Sequence, residues 1–180
     1  MNIFYIDICP TKSAEWMVDR HVVKMILESA QLLSTAHRVL DGVECVGKSK
    51  TGRKKKSWVL NDGRESVLYQ ATHINHPSAV WARESVENYN WLVEHFFALG
   101  KEYTHRYGKI HKCLGGELSY QLQSPPKNLT EYEMTIMPSA MAPEYVISLD
   151  PIENYRNYYR EGKKKLHFYT RRDPPPWLYE

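Results

Sequence analysis

The sequence predicts a mainly α-helical protein, a compact single domain over residues 1–180 with about three principal helices, long irregular connections and a short N-terminal strand. Three observations carry this. From Ser13 to Leu40 there is neither Gly nor Pro, and Val18, Val22, Met25, Ser29, Leu33, Ala36 and Leu40 recur at spacings of three and four. Tyr89, Leu92, Phe96, Leu99 and Tyr103 repeat in the same way between Pro77 and Gly108. Asp150-Pro151-Ile152-Glu153 supplies an N-cap, a first-turn proline and an acid at the third position.

Taken in order, residues 2–6 (Asn-Ile-Phe-Tyr-Ile) form a β-branched and aromatic run that reads as a strand. Cys9-Pro10 breaks it, and Thr11 or Ser13 can cap the first helix. Val23, Ile26, Leu27, Ala30 and Leu32 widen that helix's apolar surface beyond one face, which places it centrally in the fold. Asp41-Gly42 ends it. Residues 42–66 are rich in Gly, Lys, Ser and Asp and read as a long, mobile basic loop, with one short ordered piece around Trp58-Val59-Leu60. A short helical turn fits Val67–Ala71. The second long helix runs roughly from Ser78 to Tyr107, Pro77 suiting its start and Gly108 its end. Pro125-Pro126, Pro138 and Pro143 limit residues 113–148 to short pieces, a third helix runs from Pro151 to about Lys165, and the terminal Pro-Pro-Pro-Trp packs Trp177 on the body.

Composition narrows the classes. A chain of 180 residues has room for one sizeable core, and 42% hydrophobic residues exclude a disordered polymer. The net charge of +3 is too weak to argue for nucleic acid by itself, but its distribution is uneven. Lys48, Lys50, Arg53, Lys54, Lys55 and Lys56 crowd one stretch, and Lys163, Lys164, Lys165, Arg171 and Arg172 lie near the C-terminus. Such clusters either attract phosphates by counterion release or form a solvated loop and tail. Cys9, Cys45 and Cys113 are widely spaced, odd in number and without a Cys-x-x-Cys pair, which suggests neither a disulfide framework nor a zinc ribbon. No stretch reaches membrane-spanning length and no signal-peptide core is evident, so a cytoplasmic setting is expected, that of the host cell if the chain is viral.

The feature with most chemical content is a polar stripe on the first helix. His21, Lys24, Glu28, Gln31 and Thr35 recur at spacings of three and four and share one face. On a central helix this stripe lines a cleft; on a peripheral one it is a solvated face with a Lys–Glu pair. His73 and His76 precede the second helix; no third metal ligand is evident near them, so helix capping or substrate contact is the expectation, with no metal and no cofactor. Trp81 and Arg83 fall on the first turns of that helix, where they either face the cleft or serve the surface. His105, Arg106, Lys109, His111 and Lys112 make a second basic patch, which the helix C-terminus also favours. Tyr155, Arg156, Tyr158, Tyr159, Arg160 and Lys163 alternate aromatics with cations, as suits stacking on bases beside phosphates, although two of the tyrosines are expected in the core. Gly-x-x-x-x-Gly-Lys, Gly-x-Gly-x-x-Gly, Gly-x-Ser-x-Gly and His-Glu-x-x-His are all missing, which disfavours P-loop, dinucleotide, α/β-hydrolase and zinc-protease chemistry.

Three of these segments together resemble the pyrimidine-dimer DNA glycosylase family of the phage endonuclease V type, and the chain as a whole has the look of small phage proteins. Asp19-Arg20-His21 followed by Glu28 resembles the family's early helix, with its catalytic Glu seven residues after the His. His73-Ile74-Asn75-His76 and the helix after it resemble the family's next landmark, and Tyr155 to Lys163 its aromatic run ending in Gly-Lys. The resemblance implies an N-glycosylase on DNA, double-stranded by expectation, with possible strand cleavage as an AP lyase and a damaged or modified base as target. It implies that an N-terminal α-amine attacks the sugar C1′ to form an imine while the Glu assists proton transfer. Here Asn2 is large enough that Met1 is expected to be retained, so the amine is that of Met1, and Leu27 stands where the family has an arginine. Glu28, His21, Lys24 and Met1 are thus the candidate catalytic residues. Arg20, Gln31, His73, His76, Trp81, Arg83, Lys54, Lys55, Lys56, Arg106, Tyr158, Tyr159, Arg160 and Lys163 are the candidates for binding DNA or a nucleotide. A monomer is expected, with no membrane partner. A non-catalytic nucleic-acid-binding module and a glycosidase on free nucleotides remain the alternatives.

Overall fold

A computed structural model describes residues 1–48 and 51–179. The architecture is mainly helical, with two long helices crossing at its centre and a single two-stranded sheet among the described residues. No helix among these residues is long and apolar enough to cross a membrane.

The first predicted helix is two: α1 (Pro10–Glu15) and α2 (Asp19–Asp41). Nothing local breaks the pattern at Trp16–Val18; tertiary bonds do. The Asp19 N–H donates to the Phe168 carbonyl at 2.9 Å, and its carboxylate receives Arg106 and both the amide and hydroxyl of Thr170. These bonds outweigh the continuity of the helix, whose propensity is a weak prior. α2 then ends as expected at Gly42, where a Cβ would collide with the Arg38 carbonyl oxygen, so only glycine fits.

The segment 42–66 differs from the predicted loop. β1 (Val43–Lys48) and β2 (Lys54–Val59) pair antiparallel, with Val43 opposite Val59 and Lys48 opposite Lys54. A one-turn 3₁₀ helix at Gly63–Ser66 follows. The lysine-rich composition concealed the hairpin, because its strands are exposed and need no apolar alternation. Its root is held by Arg38, a fully buried arginine on α2. Arg38 donates to the carbonyls of Trp58, Tyr69, Leu68 and Glu65 and forms a 2.7 Å ion pair with the Glu65 carboxylate. Lys50, counted in the basic cluster, lies outside the described residues.

The second predicted helix is also two, α3 (Pro77–Trp81) and α4 (Val86–Tyr107). Ser85 caps α4 by accepting the Asn88 N–H, and the Val86 and Glu87 N–H groups donate to the carbonyls of Glu131 and Tyr132. Gly108 closes α4 in the left-handed conformation at φ 66°, as its place in the sequence predicts. α4 lays Tyr89, Leu92, Phe96 and Leu99 against Val22, Met25, Ile26 and Leu33 of α2, and these form one continuous core. After the short α5 (Glu117–Gln121), the chain is irregular to α6 (Pro151–Asn157), which Asp150 caps at the Ile152 N–H. The third helix is therefore shorter than predicted. It widens into a π turn over Tyr158–Gly162 and a 3₁₀ turn over Lys164–Leu166.

The predicted N-terminal strand does not form. Residues 3–6 are buried but pair with no strand among the described residues; the Asn2 side-chain oxygen accepts the N–H groups of Ile3 and Phe4, and the Ile6 N–H turns back to the Phe4 carbonyl. Phe4 adopts φ 57°, which no strand residue does.

Candidate functional site

The site begins with that N-terminal segment, because it delivers the first residue of the chain to α2. Glu28 lies on the inward side of α2 with its side chain 11% exposed. One carboxylate oxygen, Oε2, accepts the Asn2 backbone N–H at 3.0 Å and lies 3.8 Å from the Met1 amine. The other, Oε1, pairs with Lys24 Nζ at 3.0 Å, one turn earlier on the same helix. Asn2 Nδ2 donates to the Ala140 carbonyl at 2.7 Å, so the irregular segment after α5 clamps the N-terminus from the far side.

His21 stands one layer beneath. Its ring is buried, stacks on Phe4 with centroids 4.0 Å apart, and places Nδ1 2.6 Å from the Tyr159 hydroxyl. Burial, aided by the positive charges of Lys163, Lys24 and Arg20, pushes its pKa down to about 3. Burial likewise raises the Tyr159 hydroxyl well above its ordinary value. A neutral imidazole thus faces a protonated phenol, and His21 fixes Phe4 and the residues before it rather than presenting a charge to solvent. Lys163 closes this layer, with Nζ 4.5 Å from the Tyr158 ring centre and 5.9 Å from that of Phe4.

The segment before α3 forms the third wall. Thr35 is buried; its hydroxyl donates to the Gln31 carbonyl and accepts the Thr72 N–H, tying residues 72–76 to α2. His73 is exposed at φ 48° with Nδ1 2.7 Å from the Thr72 hydroxyl. His76 Nδ1 accepts the Ser78 N–H and caps α3. Burial, the chain's amino terminus and His73 lower the His76 pKa, while Glu28 opposes them, so this imidazole shares the field of the amine and the carboxylate. Arg20 and Lys24 are exposed and Gln31 half-buried on the same helix.

The structure therefore brings together Met1, Lys24, Glu28, His21, His76 and Lys163, with Asn2, Phe4 and Ala140 as participants the sequence did not single out. Several other candidates are buried, bonded within the fold or distant from Glu28. Tyr159 has no exposed surface and cannot stack on a base. Trp81 is buried with Nε1 donating to the Thr135 carbonyl. Arg106 is buried among Glu102, Asp19 and the Glu15 carbonyl, which leaves it no phosphate contact. Arg83 donates to the Ala79 carbonyl, and Arg160 to that of Trp177. Lys54, Lys55 and Lys56 lie on β2. Among the described residues no group of three or more His, Cys, Asp or Glu side chains is disposed to hold a metal ion.

Comparison with known proteins bears on this arrangement at one point. No curated protein and no solved structure matches the chain. The family model described as pyrimidine dimer DNA glycosylase matches residues 1–114, which carry Met1, Lys24, Glu28 and His76, while Ala140, Tyr158, Tyr159 and Lys163 come from beyond it. With well over half of its 180 residues matched, the chain belongs to the pyrimidine dimer DNA glycosylase family.

Proposed function

We propose that this protein cleaves the N-glycosidic bond of a damaged or modified base in double-stranded DNA, with the Met1 α-amine as nucleophile and Glu28 as the carboxylate that manages charge and protons. The observation that carries the reading is the 3.8 Å approach of the Met1 amine to Glu28 Oε2. A neutral amine adds to C1′ as the bond from C1′ to the base nitrogen breaks, and the base leaves with a proton. Loss of the amine proton and opening of the sugar ring at O4′ give the imine. Glu28 is placed to stabilise the cationic sugar as it develops and to relay the proton to O4′. Subsequent loss of the C2′ proton expels the 3′ phosphate, which is the lyase step. The Asn2–Glu28 bond tethers the Met1 amine within the fold, whereas the Lys24 side chain is 63% exposed, which favours Met1 as the nucleophile. Arg20, Lys24 and Lys163 supply cations for the phosphates around the extruded nucleotide.

Borohydride reduction in the presence of DNA containing a lesion or an abasic site tests this. A covalent adduct that maps to the N-terminal peptide and disappears when the amine is acetylated supports the assignment. An adduct on Lys24, or one that persists in a Glu28→Gln protein with a blocked amine, overturns it.

A further inference from the structure

The β1–β2 hairpin is the part of the fold least explained by packing. Every residue of β1 is exposed, and on β2 only Trp58 is buried, with Ser57 half-buried. Its register sets Lys48 opposite Lys54, Gly47 opposite Lys55 and Val46 opposite Lys56. Side chains alternate along a strand, so Lys54 and Lys56 leave one face of the ribbon, together with Lys48, while Lys55 leaves the other. Lys56 pairs with Glu44 at 2.7 Å; among the described residues Lys48, Lys54 and Lys55 have no carboxylate partner. Like charges set directly opposite one another destabilise a two-stranded ribbon, which is marginal to begin with. A polyanion between and around them removes that cost.

We infer that this hairpin enters the major groove of duplex DNA as a basic ribbon, a second contact surface separate from the site at Glu28. Its ligand rests on the glycosylase reading; its geometry does not. The major groove, about 12 Å wide, admits a two-stranded ribbon, and long lysine stems on both faces reach the phosphates that rim it. The ribbon exposes no aromatic side chain, its Trp58 being buried at the root, so it lacks the stacking platform that single strands require. The root lies about 20 Å from Glu28 along α2, since thirteen residues at about 1.5 Å each separate Glu28 from Asp41. The ribbon therefore grips undamaged duplex to one side of the target.

The test uses the full chain and a duplex without a lesion. Replacing Lys54, Lys55 and Lys56 together by Gln should lower the slope of log affinity against log salt by about 2 to 3. It should also remove protection of guanine N7 from dimethyl sulfate. Replacing the same three by Arg should preserve both, which separates charge from folding. An unchanged salt slope in the Gln variant, protection confined to adenine N3 in the minor groove, or tighter binding to single-stranded than to duplex DNA would each overturn the inference. Excision by the unaltered protein, compared with Glu28→Gln, is scored separately. If no substrate is turned over but the slope difference stands, the catalytic reading fails and the ribbon does not. If excision is Glu28-dependent and the slope is unchanged, the ribbon fails alone.

Discussion

The Asn2 backbone N–H and the Glu28 carboxylate meet at 3.0 Å, and this bond fixes where the first nitrogen of the chain stands. The two are 26 residues apart, one on an irregular segment and one on a helix, so the contact is a product of the fold rather than of local sequence.

Glu28→Gln keeps an acceptor for the Asn2 N–H but removes the charge and the titrating proton. Single-turnover excision is expected to fall by about 10²- to 10⁴-fold, the range for a lost general acid–base group, with DNA affinity little changed. Parallel binding and chemistry measurements check it. Full activity in the variant would remove Glu28 from the mechanism.

Asn2→Ala removes three bonds, those to the Ile3 and Phe4 N–H groups and to the Ala140 carbonyl. A loss of about 1–3 kcal/mol in stability is expected from buried partners left unpaired. Because the amine loses its tether, imine trapping should fall by more than the stability loss explains. Trapping yield measured well below the melting transition separates the two effects.

Acid should destabilise the protein from mildly acidic pH downward. Burial is the main cause that lowers the pKa of His21 to about 3, and of His37 and His95 to about 4 each. Above about pH 7.5 these rings are essentially neutral whether folded or not, and they contribute little to the pH dependence. As the pH falls from there toward 4, the unfolded chain takes up protons that the native chain refuses. Each histidine then withdraws about 1.4 kcal/mol of stability per pH unit. Denaturant midpoints across pH 4–8 test this: they should be flat in the upper part and fall below it. A curve that stays flat to pH 4 would show that the rings titrate normally.

Arg38→Met should cost about 2–4 kcal/mol, mainly because it orphans the carbonyls of Trp58, Leu68 and Tyr69, the more exposed Glu65 carboxylate being rehydrated by solvent. Arg38→Lys should recover little, since one ammonium cannot reproduce a fork with five bonds. Chemical denaturation reads the cost. Near-native stability in either variant would mean the hairpin root does not depend on this residue.

The parts legible in the sequence are those dictated by local chemistry. The apolar spacing in α2 and α4, Gly108 at a left-handed helix end and the Asp150 cap all follow from residues within a few positions of one another. The polar stripe was legible for the same reason, and it led to Glu28. What was hidden depends on distant partners. The break before Asp19 needs Arg106, Phe168 and Thr170, and the break before α4 needs Glu131 and Tyr132. Residue type alone also cannot separate a phosphate-seeking arginine from one buried in an ion network, as Arg106 shows, nor a stacking tyrosine from a core one, as Tyr159 shows. Asn2 and Phe4 read as strand because nothing nearby reveals that their bonds go to one another and to Ala140.

The Ala140 clamp on Asn2 and the Tyr159 contact with His21 have a consequence for biosynthesis. The first residues of this chain leave the ribosome long before residues 138–163 exist, and until those are made Phe4 and His21 lack the partners that hold them. Contacts of such long sequence separation form late, after α2 and α4 have had time to pair. A growing or truncated chain ending near residue 114 would carry its amine and Glu28 without the Ala140 and Tyr159 contacts that brace the segment between them, so the candidate site gains this support only after residues 138–163 have been made.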